Sequence, residues 1–162
     1  MSTPIGAVVI TLSDACSRGE RQDDSGKALV ELLTAAGAEI IETRILSDDL
    51  EPLVQALRQI SSRPDVNLIL TTGGTGLGPR DNAPEATLQV IEREAPGIAE
   101  AIRAESLRVT PMAMISRGIA GVSSGTLIIN LAGSPKAVRE SFAVIKPVLS
   151  HAVDLLTGKT RH

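Results

Sequence analysis

One stretch decides how this chain folds: Leu70-Thr-Thr-Gly-Gly-Thr-Gly-Leu-Gly-Pro-Arg-Asp81. An apolar run at 67–72 leads into it and a helix-like segment at 84–94 follows, so the pattern predicts a strand-to-helix turn. Its glycines lack Cβ atoms, which lets backbone N–H groups approach a phosphate closely. The carboxylate of Asp81 has little to offer a bare phosphate, but it suits a metal ion that accompanies one. The loop therefore predicts nucleotide or phosphoester chemistry.

Hydrophobic periodicity on both sides of this loop predicts strands that alternate with helices. Strands are expected at 5–12, 39–46, 67–72, 118–122 and 126–131. Helices are expected at 25–33, 50–60, 84–94, 97–107 and 135–156, with Asp24 or Ser25 capping the first and Pro147 kinking the last. The alternation predicts one α/β domain over residues 1–162, with a parallel sheet covered on both faces.

Four loops fall where ligands bind such sheets, at the carboxyl ends of the strands. They lie at 13–24, 47–49, 73–83 and 132–134. The first is long and polar for such a connection, which predicts either a binding loop or a mobile surface loop.

Composition limits the partners of the chain. It has 162 residues, a net charge of −3 and a single aromatic side chain, Phe142. That is too little for stacking bases, so no nucleic-acid partner is expected. No apolar run is long enough to span a bilayer, and the start, Met1-Ser-Thr-Pro-Ile-Gly6, has no secretory pattern. Cys16 is the only cysteine, which also fits a cytoplasmic protein without a membrane segment.

The glycine loop matches neither of two common phosphate loops. No Gly-Lys-Ser/Thr closes it as in a Walker A motif, and Pro79 stands where a dinucleotide fingerprint counted from Gly74 needs glycine. Asp48 follows the second predicted strand, so Asp48 and Asp81 are placed to share one Mg²⁺ with a triphosphate. For each aspartate taken alone, helix or turn capping is the alternative.

Gly133-Ser134-Pro135 is a second candidate anion site. Ser134 suits a helix N-cap and Pro135 suits the first helical position. The N–H groups and the dipole at the start of that helix favour a phosphate. Plain capping without a ligand is equally compatible with these residues.

A series of short motifs runs in order through nearly the whole chain: Thr11-Leu-Ser-Asp14, Asp23-Asp-Ser-Gly26, Thr71-Thr-Gly-Gly-Thr-Gly76, Pro79-Arg-Asp81, Pro84-Glu-Ala-Thr87, Glu94-Ala-Pro-Gly97, Ser106-Leu107, Thr110-Pro-Met-Ala-Met-Ile-Ser-Arg117, Asn130-Leu-Ala-Gly-Ser-Pro135 and His151-Ala-Val-Asp-Leu-Leu156. Together these motifs resemble the molybdopterin adenylyltransferases, the Mog/MoaB type of molybdenum-cofactor biosynthesis domain that also occurs in gephyrin.

The resemblance implies a three-layer α/β/α sandwich with a mostly parallel central sheet, assembled as a homotrimer. It implies a nucleotidyltransferase that moves AMP from Mg-ATP to the terminal phosphate of molybdopterin and releases pyrophosphate. ATP and molybdopterin are then substrates, Mg²⁺ is the cofactor, and a downstream molybdenum-insertion protein is a further partner. A non-catalytic molybdopterin-binding module of the same fold is the alternative; the presence of both Asp48 and Asp81 favours the enzyme.

The resemblance also implies roles for individual residues. Asp48 and Asp81 match the two catalytic acids, which handle Mg²⁺ and the nucleotide phosphates. The nucleotide and phosphate loop is matched by Gly73, Gly74, Thr75 and Gly76. Positions that line the substrate pocket are matched by Ser13, Asp14, Ser106, Ser116, Asn130, Gly133 and Ser134.

Two departures from the family pattern lie close to these residues. Asn82-Ala83 stands where Val-Thr is usual, and Ala83 cannot cap the next helix as threonine would. A Gln-Ala-Pro variant occurs in the MoaB branch, so the Mog and MoaB branches both stay open. Ala132 stands where proline is usual, which changes the stiffness of the loop but removes no catalytic group.

Overall fold

The structure is a computed structural model that describes residues 2–159. Residue 1 and residues 160–162, at the two ends of the predicted domain, lie outside the described residues. The strands are β1 (Gly6–Leu12), β2 (Glu39–Leu46), β3 (Leu68–Thr72), β4 (Arg93–Glu94), β5 (Ala120–Ser123) and β6 (Thr126–Leu131). The helices are α1 (Asp14–Ser17), α2 (Asp24–Ala35), α3 (Leu50–Ser61), α4 (Ala83–Val90), α5 (Pro96–Leu107), a 3₁₀ helix (Pro111–Ile115) and α6 (Pro135–Leu156).

The strands form one sheet in the order β2-β1-β3-β6-β5-β4. β1 pairs in parallel with β2 and β3, and β3 pairs in parallel with β6. β5 and β4 extend the sheet as an antiparallel edge. β1, β3 and β6 are buried along their whole length, as expected of strands covered on both faces. The α/β fold with a mostly parallel sheet is confirmed.

Two hydrophobic cores, one on each face, hold the helices against the sheet. The alternation of β1 side chains divides them: Val9 packs in the core under α2 and α6, and Ile10 packs in the core under α3 and α4. Phe142 is buried in the first core. Each fully buried aliphatic or aromatic side chain stabilises the fold by roughly 1.5–3 kcal/mol. The carboxyl edge of this well-packed sheet therefore gives the loops a rigid base.

The predicted helix at 84–94 is too long, because α4 ends at Val90. Ile91 has an extended backbone, with φ −69° and ψ 144°. The N–H of Glu92 donates to the C=O of Val122 (2.8 Å), and Arg93–Glu94 pairs with β5. Main-chain pairing at the sheet edge satisfies these backbone groups and outweighs a modest helix propensity.

The cap predicted for α2 is also wrong, since Asp23 caps this helix and neither Asp24 nor Ser25 does. One oxygen of Asp23 accepts the N–H of Gly26 (2.9 Å) and the other accepts the hydroxyl of Thr11 (2.7 Å). The second bond crosses from the loop to β1, so tertiary structure selects which aspartate becomes the cap.

Other differences are small. The long polar loop after β1 contains the single helical turn α1, and β5 begins at Ala120 rather than two residues earlier. α6 runs from Pro135 to Leu156 with Pro147 inside it, and the kink expected at Pro147 stays a prediction. None of the helices within residues 2–159 combines the length and the apolar character needed to cross a membrane.

Candidate active site

The carboxyl ends of β1, β2, β3 and β6 bring the four predicted loops together. The N–H of Ser13, after β1, donates to the C=O of Leu46 at the end of β2 (3.0 Å). The N–H of Gly73, after β3, donates to the C=O of Leu131 at the end of β6 (3.0 Å). Parallel strand order therefore places residues that are distant in sequence along one edge of the sheet.

The loops after β1 and β2 are joined by reciprocal hydrogen bonds. The N–H of Asp14 donates to Oδ2 of Asp48, and the N–H of Asp48 donates to Oδ1 of Asp14 (both 3.0 Å). Arg80 donates to both carboxylate oxygens of Asp14 (2.7 and 2.9 Å) and to Oδ1 of Asp49 (3.0 Å). We refer to Asp14, Asp48, Asp49 and Arg80 as the acidic corner. It places two predicted site residues, Asp14 and Asp48, in direct contact.

Two carboxylates of the acidic corner differ in their electrostatic state. Hydrogen bonds from the Arg80 guanidinium, and then from the Asp48 N–H, lower the pKa of Asp14 from 3.8 to about 2. Burial raises the pKa of Asp48, and the charges of Asp14 and Asp81 act in the same direction. A carboxylate that is costly to ionise beside other carboxylates gains from a bound cation.

Asp81 folds back over the glycine loop that precedes it. Its Oδ2 accepts the N–H of Gly78 (2.8 Å), and a Cβ atom at Gly76 or Gly78 would lie 2.9 or 2.8 Å from that oxygen. Gly73 has a φ of 97°, and a Cβ there would lie 2.4 Å from the C=O of Leu12. The glycines therefore make room for Asp81 and for β1, besides allowing an anion to approach.

The unusual pair Asn82-Ala83 has a structural explanation. Ala83 is completely buried, and its N–H donates to the C=O of Gly74 (3.0 Å). α4 begins without a side-chain cap, and the amide nitrogen of Asn82 donates to the C=O of Asp48 (3.0 Å). Asn82 thus links the glycine loop directly to the acidic corner.

Arg117 braces the glycine loop from the opposite side. Its Nε donates to the C=O of Gly76 (2.7 Å) and its Nη2 donates to the C=O of Asp81 (2.8 Å). Its main-chain N–H donates to the C=O of Thr75 (2.8 Å). Its Nη1 pairs with Glu85, and this hydrogen bond is the main cause of a lowered pKa for Glu85. The loop that carries Asp81 is therefore held at three carbonyl groups by one residue.

A cavity of about 260 Å³ lies against the glycine loop. Five predicted site residues line it: Thr75, Gly76, Ser106, Ser116 and Asn130. Much of the remaining wall is apolar and comes from α5, the 3₁₀ helix and the start of α6. We refer to this space as the serine-lined cavity. An apolar cleft with a few convergent polar groups is typical of a small-molecule site.

Asn130 forms part of the wall and is only 4% exposed. Its Nδ2 donates to the hydroxyls of Thr71 and Thr87 (both 3.0 Å), and its Oδ1 accepts the N–H of Ile119 (3.2 Å). Both amide hydrogens are thus used by protein groups. Asn130 therefore joins β3, α4 and β6 beneath the cavity and fixes its shape.

A smaller cavity of about 120 Å³ lies beside β1, and Ser13 and Gly133 line it. The hydroxyl of Ser13 accepts the N–H of Cys16 and caps α1, and the hydroxyl of Ser134 accepts the N–H of Ala137 and caps α6 (both 3.1 Å). The capping interpretation of Ser134 is confirmed, while its binding of an anion stays a prediction. The predicted substrate positions are therefore divided among the two cavities, the acidic corner and the start of α6.

Within residues 2–159, no group of three or more His, Cys, Asp or Glu side chains is arranged to hold a metal ion by itself. Asp48 and Asp81 each have one carboxylate oxygen bound to a backbone N–H. Two carboxylates fit an Mg²⁺ ion that takes its remaining ligands from phosphates and water. The donor set thus suits a metal shared with a substrate.

Comparison with known proteins agrees with this architecture. The sequence pattern of the family described as "Probable molybdopterin binding domain" matches residues 8–151. The chain belongs to this family. The molybdopterin adenylyltransferase of Helicobacter pylori strain J99 is 38% identical over 152 residues, which are 93% of this chain and 86% of that protein. The molybdenum cofactor synthesis protein cinnamon of Drosophila melanogaster is 43% identical over 150 residues, or 91% of this chain, which spans only 25% of cinnamon.

Solved structures of two family members superpose closely. The molybdopterin biosynthesis enzyme MoaB from Thermus thermophilus has a TM-score of 0.89 and 47% identity, with 95% of this chain and 97% of that chain covered. The Mog protein from Mycobacterium ulcerans has a TM-score of 0.89 and 37% identity, with 97% and 99% covered. The family resemblance and the fold expected from the sequence motifs are confirmed.

Three polar side chains of this family member were not among its predicted site residues. They are Arg80, Asn82 and Arg117. Each lies within or beside a motif quoted above. Their place in these motifs is the sequence signal that could have identified them as site residues. Their hydrogen-bond partners lie as many as 66 positions away in the chain, and only the folded structure identifies them.

Proposed function

We propose that this chain is a molybdopterin adenylyltransferase, which moves AMP from Mg-ATP to the terminal phosphate of molybdopterin and releases pyrophosphate. One observation carries the proposal: a single loop serves both halves of the site. Thr75 and Gly76 line the serine-lined cavity, while Arg80 and Asn82, on either side of Asp81, donate to Asp14 and to the C=O of Asp48 in the acidic corner. An acceptor in the cavity is thereby brought next to the carboxylates that are directed at a metal.

The relatives support the same activity. The Helicobacter pylori and Escherichia coli K12 proteins are both molybdopterin adenylyltransferases, and the chain spans 86% and 75% of their lengths. Most of each enzyme therefore has a counterpart in this chain.

In this proposal the serine-lined cavity holds the pterin. The hydroxyls of Ser106 and Ser116 hydrogen-bond its polar edge, while the apolar wall covers its rings. Asn130 acts mainly on the shape of the cavity, since its amide hydrogens already have protein partners. The terminal phosphate of the acceptor then points toward the glycine loop.

The nucleotide is proposed to bind on the other side of that loop. Gly74, Thr75 and Gly76 contact its phosphates through their main-chain N–H groups, and Gly73, whose N–H donates to Leu131, shapes the turn. Asp48 and Asp81 hold Mg²⁺, which neutralises phosphate charge when it is bound. Adenylyl transfer needs little covalent chemistry from the protein, because holding two polyanions in line is the principal task.

The remaining predicted positions are proposed to complete the substrate site. Ser13 and Gly133 line the smaller cavity, and Asp14 is in contact with Arg80. Ser134 begins α6, whose N-terminal N–H groups favour a phosphate even while the hydroxyl caps the helix.

We further infer that the protein acts as a cytoplasmic homotrimer and passes its product to a downstream molybdenum-insertion protein. Self-association is supported by large apolar side chains exposed along one segment, namely Leu107, Val109, Met112, Met114 and Ile115. Exposed apolar surface of this kind commonly marks an interaction site. A monomer mass in sedimentation at micromolar concentration would contradict the trimer.

The test of the activity is a turnover assay with purified protein, molybdopterin and Mg-ATP. We expect equal amounts of adenylated pterin and pyrophosphate, and no turnover when EDTA removes the magnesium. Tight molybdopterin binding without pyrophosphate release would overturn the proposed enzymatic activity and favour a non-catalytic binding module.

A further inference from the structure

Arg117 directs all three nitrogens of its guanidinium at protein groups. Nε and Nη2 donate to the carbonyl groups of Gly76 and Asp81, and Nη1 pairs with the carboxylate of Glu85. A guanidinium with these partners already has its charge balanced. It is therefore suited to holding the loop in place and not to binding a substrate phosphate directly.

The position of Arg117 in the chain connects the two halves of the site. Ser116, the residue before it, lines the serine-lined cavity. The main-chain N–H of Arg117 donates to Thr75, which lines the same cavity (2.8 Å), and its side chain reaches the main chain of Asp81. The residue thus lies between the cavity wall and the carboxylate that we assign to the metal.

We propose that Arg117 is a positioning residue that holds Asp81 at a fixed place relative to the acceptor in the serine-lined cavity. This proposal rests on the proposed adenylyl transfer and adds to it a residue outside the predicted site. Without the hydrogen bonds of the Arg117 side chain, the acceptor still binds, but Asp81 no longer stays in the position that adenylyl transfer requires. Small errors in such positioning reduce the rate of a transfer reaction strongly.

Arginine is required for this role because of its shape. A planar guanidinium donates in several fixed directions at once, whereas a lysine ammonium is a compact charge. Arg117→Lys keeps a cation beside Glu85 but loses simultaneous bonds to two carbonyl groups. We expect kcat to fall about 10- to 100-fold, as for other supporting contacts around a metal ligand, while KM for molybdopterin stays nearly unchanged.

Arg63→Lys is the matched control. The Arg63 side chain is 36% exposed, against 34% for Arg117, and it pairs with Glu42 and Asp65 away from the site. Its turnover is expected to equal that of the wild type. An unchanged kcat in Arg117→Lys, or a higher KM at unchanged kcat, would overturn the positioning role.

Hydrogen exchange separates this proposal from the proposed function. The amides of Gly78, Asp81 and Ala83 are bonded within the loop region. We expect faster exchange of these amides in Arg117→Lys, with protection of β1 and β3 unchanged. If the wild-type protein shows no turnover, the proposed function fails. Hydrogen exchange of the loop amides then still tests whether Arg117 holds the loop in place. Unchanged loop exchange, or faster exchange throughout the sheet with a lowered Tm, would overturn it.

Discussion

The acidic corner and the serine-lined cavity share one glycine loop but depend on different physics. In the corner, Arg80 and Asp49 form an ion pair whose side chains are 54% and 57% exposed. Pairs at such exposure contribute little to stability and are weakened by salt. The cavity, in contrast, depends on the buried amide of Asn130, whose hydrogen bonds all go to protein groups.

This difference indicates how the site divides its work. Exposed charged groups exchange one partner for another at little cost, so the corner is suited to accepting a metal and a polyanion. Buried hydrogen bonds are costly to leave unpaired, so the cavity keeps one shape for its acceptor. The following variants perturb one region at a time, beginning with the largest expected effect.

The sharpest test on the side of the corner is Asp81→Asn. The amide oxygen of asparagine still accepts the N–H of Gly78, so the fold and Tm should be retained. Loss of the charge should lower turnover about 100-fold or more, because a group that stabilises the reacting phosphates is removed. Pyrophosphate release measures the effect. Asp65→Asn, which neutralises an exposed carboxylate paired with Arg63, is the control; full activity in Asp81→Asn would remove Asp81 from the mechanism.

On the side of the cavity, Asn130→Ala should lower the free energy of unfolding by about 1–3 kcal/mol, because it removes the buried partners of Thr71, Thr87 and Ile119. Urea unfolding measures this change. Asn82→Ala, which loses one partly buried bond to Asp48, should cost only about 0.5–1.5 kcal/mol. Equal losses of unfolding free energy in the two variants would contradict the proposed difference between the cavity and the acidic corner.

Asp48→Asn should separate stability from function. Burial raises the pKa of Asp48, so its ionisation destabilises the fold once the pH exceeds that raised value. The asparagine variant should therefore have a higher Tm than the wild type at pH 7, although its turnover falls. The difference in Tm should vanish well below pH 3.8, where the wild-type carboxyl is also protonated. A lower Tm at pH 7 would show that burial is not the dominant effect.

The smallest effect concerns the ion pair between Asp14 and Arg80. The pKa of Asp14 is lowered from 3.8 to about 2, so its contribution to stability is present above pH 3.8 and is lost as the pH falls through about 2. In Arg80→Met, Tm should fall less steeply than in the wild type as the pH decreases. A series of Tm measurements against pH checks this. Arg108→Met, which removes an exposed pair with Glu105, should keep the wild-type profile. Identical profiles for Arg80→Met and wild type would contradict the assignment.

Much of the fold was predictable because its signals are local. The strands β1, β2, β3 and β6 lie within one residue of their expected ends, since buried apolar runs and helical periodicity are written in adjacent residues. The helix predicted at 84–94 failed at its end because pairing of Arg93–Glu94 with β5 depends on a strand far along the chain. The cap of α2 failed for a related reason, since Thr11 on β1 selects Asp23.

The sequence by itself determined the α/β architecture, the glycine loop and the family, because periodicity and motif order need no knowledge of contacts. Only the tertiary structure decided which residues act together. It joined Asp14 to Asp48 and Arg80, linked the Asn82 side chain to the main chain of Asp48, and placed Arg117 across the loop. These contacts depend on distances between chain segments brought together by parallel strand order, and that information is present in no local pattern of residues.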